Sequence, residues 1–208
     1  MRRLAALVAL VGCARAQPPV APAITYGQAA NAVRITRTCI AIDADHRGMA
    51  ITAALGSGTV IGPGRVLTAN HVTRCEGSAL TVYRVDDTEG VARDAILLWR
   101  DPGHNLAELL SPGFVSRGQV HFGRAADGAH VCYQPGAPSR ERVCGTAKHE
   151  RNTEPNGALD LKLTAPVRHG NSGAALYDDS GRIVGVVTNT VSCDGCGGWG
   201  VSIDGRLP

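Results

Sequence analysis

The chain has 208 residues, of which 44% are hydrophobic and 19% charged, and this length and composition suit one packed domain or two small ones. Its formal net charge of +3 is too small to indicate a nucleic acid or an anionic membrane surface as a partner. Lysine and arginine are scattered without interleaved aromatic residues, so the usual pattern of a nucleic-acid-binding protein is absent.

The first 16 residues have the pattern of an export signal. Arg2 and Arg3 precede the apolar run Leu4–Val11, which is too short to span a membrane as a helix. Two processing sites fit: cleavage before Gln17, or cleavage before Cys13 at a lipobox-like sequence that would leave Cys13 carrying a lipid anchor. We therefore expect an extracytoplasmic protein, either secreted or periplasmic, or held at the envelope by a lipid.

Residues 17–30 are rich in proline and alanine and are predicted to form a tether. From residue 31 onward, short apolar runs alternate with turns rich in glycine, proline, aspartate and asparagine, which is typical of β-strands. The predicted strands are 32–40, 50–54, 58–61, 65–68, 79–85, 91–99, 119–122, 130–133, 142–148, 158–163, 174–177, 183–188 and 198–203. No segment sustains a helical period, so the sequence predicts an all-β sandwich or barrel. A break near 111–118 divides the strands into two comparable domains, 31–114 and 115–208.

Six cysteines follow Cys13: Cys39, Cys75, Cys132, Cys144, Cys193 and Cys196. An even number in an exported protein predicts disulfides, although six cysteines allow 15 pairings. Proximity favours Cys132 with Cys144 across a hairpin and Cys193 with Cys196 as a local pair, which leaves Cys39 with Cys75. The alternative is a zinc site on Cys193 and Cys196. The sequence offers no second Cys-x-x-Cys pair and no histidine-rich partner at ligand spacing, so we expect no metal and no cofactor.

Two segments far apart in the chain offer the groups of a nucleophilic hydrolase. The segment Val66–Val72 places His71 at the end of an apolar strand, and His169–Leu176 places Ser172 in a glycine-flanked turn. A serine hydroxyl needs a base to take its proton, and histidine is the usual base. Taken singly, each segment is equally well an ordinary strand-end histidine or an ordinary Gly-Ser turn. The order His, then Ser, with an acid between them, matches one known chain order for this constellation.

Both motifs resemble those of the chymotrypsin/trypsin-like serine peptidases, and in particular the short bacterial members of that family. The segment 56–61 followed by 66–71 resembles the family's approach to its catalytic histidine, and 170–173 resembles its nucleophile turn. The segments 181–187 and 198–203 resemble its last two strands. This resemblance runs from residue 31 to the end of the chain. It implies two six-stranded antiparallel β-barrels packed side by side, with the active site between them.

The resemblance also implies a role for each residue at the site. Ser172 would attack a peptide carbonyl, and His71 would take its proton and pass it to the leaving amine. The backbone N–H groups of Gly170 and Ser172 would stabilise the oxyanion. The substrate pocket is expected at Pro166, Val167, His169, Val187, Thr188, Asn189 and Gly198. Since no carboxylate stands at the pocket floor, we expect a small or apolar side chain there rather than Lys or Arg.

The position of the family's acid is the main departure. The family pattern Asp-Leu-Ala-Leu-Leu is matched here by Asn105–Leu109, which reads Asn-Leu-Ala-Glu-Leu. Asp101 and Asp94 are alternative acids. In the trypsin triad an Asn in place of the Asp lowers turnover about 10⁴-fold. The sequence therefore indicates an exported serine endopeptidase weakened by Asn105, or an impaired homologue that acts as a binding module for a peptide or protein.

Overall fold

The computed structural model describes residues 31–42, 48–136, 139, 141–154, 157–190, 197–203 and 207. The leader, the tether and the Cys193–Cys196 pair therefore lie outside the described residues. Within these ranges, no helix has both the length and the apolar character needed to cross a bilayer.

The described residues form twelve strands and one short helix, α1 (Asn70–Thr73), which follows β3. The first barrel contains β1 (Ala32–Ile42), β2 (Met49–Gly62), β3 (Arg65–Ala69), β4 (Leu80–Asp86), β5 (Ala92–Asp101) and β6 (Leu106–Leu110), closed in the order β1-β2-β3-β6-β5-β4. The second contains β7 (Ala129–Tyr133), β8 (Val143–Glu154), β9 (Gly157–Leu163), β10 (Ala175–Asp178), β11 (Ile183–Thr190) and β12 (Gly198–Ser202), closed in the order β10-β11-β12-β9-β8-β7. The predicted fold, a pair of closed six-stranded antiparallel barrels, is confirmed.

Alternation along the strands explains why these sheets close. In β1, Val33 and Ile35 are fully buried while Arg34 and Thr36 are partly exposed, so one face of the strand supplies the barrel core and the other meets solvent. Closing the sheet pairs both edges of every barrel strand and leaves no open edge to aggregate. The segment 111–128 joins the barrels, and the assignment of a domain boundary within it stays a prediction.

The barrels share an apolar interface. One buried cluster combines residues of the first barrel, such as Leu67 and Leu109, with Ala175, Val186 and Val201 of the second barrel. A second cluster fills the interior of the second barrel. Because a continuous core crosses the interface, the loops at the ends of the two barrels are held in fixed register against each other.

Three strand predictions differ from the structure. The predicted strands 50–54 and 58–61 belong to one continuous strand, β2, because a glycine-rich stretch that reads as a turn remains paired with β1 throughout. The predicted strand 119–122 is wrong: it contributes only an isolated bridge, from Phe122 to Ile183. The strand β6 was missed because Glu108 interrupts its apolar run.

Two disulfides are present among the described residues. Cys39 on β1 is bonded to Cys75 after α1, the pair that the other two pairings left over, and Cys132 on β7 is bonded to Cys144 on β8, the pairing that proximity favoured. The imidazole of His130 lies within 4.8 Å of both sulfurs of the second pair, but those sulfurs are bonded to each other and are not thiolate ligands for a metal.

The carboxylate that interrupts β6 is satisfied by a single arginine. Glu108 is fully buried, and the guanidinium of Arg65 on β3 binds both of its oxygens, with Nη2 donating to Oε2 at 2.8 Å. This two-point geometry is the strong form of an ion pair, and it accounts for a charged residue at a core position.

We expect Arg65→Met to destabilise the fold by about 3 kcal/mol, because it leaves the Glu108 carboxylate buried without a counter-charge. The double variant Arg65→Met/Glu108→Leu should recover most of the loss, as an apolar pair replaces the ion pair. Denaturant unfolding measures both. The control is Arg117→Met, which removes a solvent-exposed pair with Glu89 and should cost less than about 1 kcal/mol. Equal losses for Arg65→Met and the control would contradict the expectation.

Candidate active site

His71 lies in α1, directly after the buried end of β3. The backbone N–H of Asn70 donates to the carbonyl of Asn105 at 3.0 Å, which ties the start of α1 to the turn between β5 and β6. The Tyr83 hydroxyl donates to the carbonyl of Thr73 at 2.7 Å, and the Cys39–Cys75 bond follows two residues later. The backbone that carries the imidazole is therefore held at its start and at its end.

The side chain of Asn105 contacts two nitrogen atoms of His71, one in the backbone and one in the ring. Its Oδ1 accepts the backbone N–H of His71 at 3.1 Å and lies 3.2 Å from the ring Nδ1. Asn105 is 2% exposed and has a φ of +54°, a left-handed conformation that Asn and Asp adopt more readily than other side chains. The backbone conformation thus restricts which residue types this position accepts.

This contact also decides which nitrogen of His71 carries the proton. The backbone N–H of His71 is always a donor, so the group of Asn105 that faces it must be the carbonyl oxygen rather than the NH₂. The same oxygen faces Nδ1 and therefore favours a proton on Nδ1. The lone pair of Nε2 is then free to accept a proton, which is the tautomer that a general base needs.

The pKa of His71 is lowered, chiefly because burial disfavours the charged imidazolium. The hydrogen bond to Asn105 acts in the opposite direction, and the charge of Arg37 lowers the pKa further. His71 is consequently a neutral base over a wider range of acidic pH than an exposed histidine.

The two alternative acids lie elsewhere. Asp101 pairs with Leu106 at the end of β5, near α1, but its carboxylate accepts the backbone N–H of His104 at 3.2 Å and lies 2.6 Å from the Nδ1 of that residue. Asp94 is exposed and lies seven residues before Asp101 on β5. At ~3.3 Å per residue, that places it about 20 Å from Asp101 along the strand. Asn105, rather than either aspartate, contacts His71.

Ser172 sits in a tight turn between Gly170 and Gly173, whose φ values are +88° and +96°. Asn171 braces this turn, since its Oδ1 accepts the backbone N–H of Arg168 at 2.8 Å and the hydroxyl of Tyr133 at 3.0 Å. The hydroxyl of Ser172 itself donates to the carbonyl of Thr188 at 2.9 Å.

The turn that carries Ser172 is attached to the first barrel through β2. The backbone N–H of Ser57 donates to the carbonyl of Ser172 at 2.7 Å, and the Ser57 hydroxyl donates to the carbonyl of Gly170 at 2.7 Å. Directly before Ser57, a Cβ at Gly56 would lie 2.6 Å from Cγ1 of Val72 and 3.2 Å from the Ser172 carbonyl. The helix that carries His71 and the turn that carries Ser172 therefore meet at the same point of β2.

Two backbone donors of the turn are unused. Among the described residues, the N–H groups of Gly170 and Ser172 donate to no carbonyl of the chain, whereas the Gly173 N–H donates to the carbonyl of Val187 at 2.7 Å. Unused N–H groups in a glycine-containing turn can bind an anion, including a developing oxyanion.

The residues expected to form the substrate pocket separate into two sets. Pro166 and His169 line a cavity of about 420 Å³, together with Tyr133, Pro135, Ser139, Glu141, Arg142, Val143, Cys144, Arg168 and Asn171. Val167, Val187, Thr188 and Gly198 are buried, and a Cβ at Gly198 would lie 2.4 Å from the Val167 side chain. Asn189 is half-buried on β11. Val167 and Val187 thus pack into the core of the second barrel.

The sequence analysis missed the role of Ser57. Its hydroxyl accepts the Gly136 N–H at 2.8 Å while donating to Gly170, so it joins two loops of the second barrel to the first. The only available signal was its position between two glycines in a segment that resembles the family's approach to the histidine. A hydrogen-bond role across a domain interface leaves no periodic trace in a sequence.

Comparison with known proteins agrees with this geometry. Residues 56–186 match the trypsin-like peptidase domain family, and the chain belongs to that family. A probable periplasmic serine endoprotease DegP-like of Brucella suis biovar 1 is 32% identical over 151 residues, which cover 68% of this chain and 29% of that protein. The corresponding protein of Brucella melitensis biotype 1 matches with the same figures. The chain thus spans less than a third of the length of these curated relatives.

Two solved structures share the fold. The Rv3671c protease of M. tuberculosis in its active form has a TM-score of 0.67 at 24% identity, covering 86% of this chain and 80% of that one. A variant of the HtrA-type protease AlgW with a decapeptide has a TM-score of 0.69 at 19% identity, covering 85% of this chain and 61% of that one. At these identities the likeness concerns the arrangement of the barrels.

We expect Gly173→Ala to disrupt the nucleophile turn. The new Cβ would lie 1.9 Å from the Ser57 carbonyl oxygen and 2.2 Å from Oγ1 of Thr68, at a φ of +96°, so strain and overpacking together should cost about 3 kcal/mol or more. The control Gly128→Ala has a φ of +77° but nothing within 4 Å, and should cost about 1 kcal/mol. Thermal unfolding compares the two, and similar melting temperatures would contradict the expectation.

Proposed function

We propose that this protein is an extracytoplasmic serine endopeptidase in which Ser172 is the nucleophile, His71 is the general base and Asn105 orients the base. The observation that carries the proposal is the junction on β2, where the helix bearing His71 and the turn bearing Ser172 meet, with Asn105 Oδ1 3.2 Å from Nδ1 of the imidazole. A neutral Nδ1–H imidazole beside a glycine-flanked serine is suited to acyl transfer.

In the proposed reaction, the Ser172 hydroxyl exchanges its hydrogen bond to the Thr188 carbonyl for one to Nε2 of His71. As Oγ attacks a peptide carbonyl, its proton passes to Nε2, and the N–H groups of Gly170 and Ser172 bind the oxyanion. The imidazolium then gives the proton to the leaving amine. In the second half, His71 takes a proton from a water molecule as that water attacks the acyl carbonyl. The imidazolium then returns the proton to Oγ of Ser172 as the ester bond breaks, which releases the acid product and restores the serine hydroxyl.

Asn105 supplies orientation without charge. Its oxygen favours the proton on Nδ1, so the productive tautomer is retained, but an amide stabilises the imidazolium less than a carboxylate does. We therefore expect a slow but competent enzyme. The penalty is smaller than the ~10⁴-fold loss found where the same replacement also selects the wrong tautomer.

The location and substrate class are part of the proposal. The leader-like residues 1–16, the disulfides Cys39–Cys75 and Cys132–Cys144 and the DegP-like relatives described as periplasmic support an oxidising compartment outside the cytoplasm. A decapeptide accompanies the structural neighbour AlgW, which supports extended peptides as substrates here.

A binding module without catalysis is the second candidate, and Asn105 is the observation that favours it. Such a chain keeps the paired barrels and the surface that binds a peptide. Its rate of peptide hydrolysis falls, because no carboxylate stands beside the base. The two candidates differ in whether the Ser172 hydroxyl is nucleophilic.

We expect a fluorophosphonate probe to label the purified protein covalently at one residue, because the reaction requires an activated serine in an oxyanion-binding turn. The Ser172→Ala variant should not be labelled, and Ser202→Ala, which changes a buried serine of β12, should be labelled as the wild type is. Intact-mass spectrometry measures the adduct. A folded wild-type protein that takes up no probe would favour the binding module.

We expect Asn105→Asp to accelerate probe labelling and peptide hydrolysis by about 10²-fold, within the range that general acid–base groups contribute. The carboxylate favours the imidazolium and so raises the pKa of His71; the acidic limb of the pH–rate profile should therefore move to higher pH. Asp also tolerates the left-handed backbone, so the variant should fold. Asp101→Asn is the matched control, since its carboxylate serves His104, and a comparable rate change there would contradict the assignment.

A further inference from the structure

The carbonyl end of α1 is bound by one arginine from β1. Nη1 of Arg37 donates to the carbonyl of His71 at 3.0 Å and to that of Val72 at 3.5 Å, and it also contacts the carbonyl of Arg74. Carbonyls at the end of a helix have no partner within the helix and carry partial negative charge, so a cation satisfies them.

Among the described residues, no carboxylate pairs with the charge of Arg37. Within the part of the chain that the structure describes, Arg37 makes no ion pair, and its Nε is a buried donor without a partner. Carbonyl dipoles solvate a guanidinium only in part, so a net positive field persists at the neighbouring imidazole.

The elements packed around α1 carry several charged and titratable groups. They are Arg34 and Arg37 on β1, Arg65 on β3, Tyr83 on β4, Arg93, Asp94, Arg100 and Asp101 on β5, His104 in the following turn, and Glu108 on β6. Of the three carboxylates, Asp101 is engaged by His104 and Glu108 by Arg65, and Asp94 is exposed on β5. No described carboxylate is therefore bonded to His71 to oppose the field of Arg37.

From this arrangement we propose that Arg37 is a positioning residue for the general base. It holds the carbonyl end of α1 and, together with the contact of Asn105 on the imidazole, keeps His71 neutral and protonated on Nδ1. A serine-peptidase site of this kind has a neutral amide where an anion would stand, and a cation close to the base. The inference depends on the proposed function only in calling His71 the base.

The charge of Arg37 widens the pH range over which His71 is neutral, and it lowers the rate of acylation. Burial lowers the pKa of His71 most, and Arg37 lowers it further, so the neutral base persists as the pH falls below the ordinary range of histidine. The same field opposes the imidazolium that forms during attack, which slows acylation. Removing the charge should raise the pKa and narrow the range of acidic pH over which the base is neutral.

The titration of His71 tests this directly in the full chain by ¹H–¹⁵N NMR of the imidazole, assigned by comparison with His71→Gln. We expect the wild type to titrate at a lower pH than an exposed histidine and to have the Nδ1–H tautomer. Arg37→Gln should move the midpoint upward, because it removes the charge. Arg37→Lys should keep the midpoint near that of the wild type, because it retains the charge.

Arg84→Gln is the matched control. It removes the same charge from the adjacent strand β4, where Arg84 contacts Asp86 rather than α1, and its midpoint should equal that of the wild type. A wild-type midpoint at or above that of exposed histidine, or an Nε2–H tautomer, would overturn the proposal even if Arg37→Gln does not fold. An equal shift in Arg37→Gln and Arg84→Gln would also overturn it. Since NMR reads the imidazole without turnover, these results are independent of whether the probe labels Ser172.

Discussion

The contact between β2 and the nucleophile turn is the constraint on which the site depends. Ser57 binds the carbonyls of Ser172 and Gly170 through its backbone N–H and its hydroxyl, both at 2.7 Å. Gly173 lies so close to the Ser57 carbonyl that only a residue without a Cβ fits. A turn whose two glycines have positive φ is thereby held by a rigid strand of the other barrel.

This attachment makes the site a property of the pair of barrels rather than of either one. His71 belongs to a helix at the end of β3, and Ser172 belongs to a turn before β10. The apolar cluster that includes Leu67 and Val186 spans the interface and prevents the two halves from sliding. Preorganisation of this kind suits acyl transfer, because small displacements of a base or an oxyanion donor lose most of their effect on the transition state.

Asn105 and Arg37 set the electrostatics around His71 and bear on its proposed role as a base. The amide oxygen is directed by an obligatory backbone donor, which separates the two roles that an aspartate combines: choosing the tautomer and stabilising the charge. Asn105 retains the first role and gives up much of the second. The charge of Arg37 lowers the pKa of His71 and so favours the neutral ring.

The resemblance of the two motifs to those of a known family predicted the pair of six-stranded barrels. Strand alternation and turn residues were sufficient to predict an all-β sandwich or barrel, because burial on one face and solvent on the other impose a period of two that survives in the sequence. The same reasoning missed β6, where Glu108 occupies a core position. Glu108 is tolerated in the core only because Arg65 on β3, which lies 43 positions earlier in the chain, binds its carboxylate. The predicted strand at 119–122 had the right composition but no neighbouring strand to complete a ladder.

The sequence by itself determined the residue types of the site and their order, since His71, Asn105 and Ser172 stand in motifs whose local patterns are legible. Only the tertiary structure decided that the side-chain oxygen of Asn105, rather than its NH₂ group, faces the ring, and that Asp94 and Asp101 lie or bond elsewhere. It also decided that Val167 and Val187 turn into the core, and that Arg37 sits at the end of α1. Each of these is a contact between segments distant in the chain. Such contacts depend on how the barrels close and dock, and no local pattern of residues encodes them.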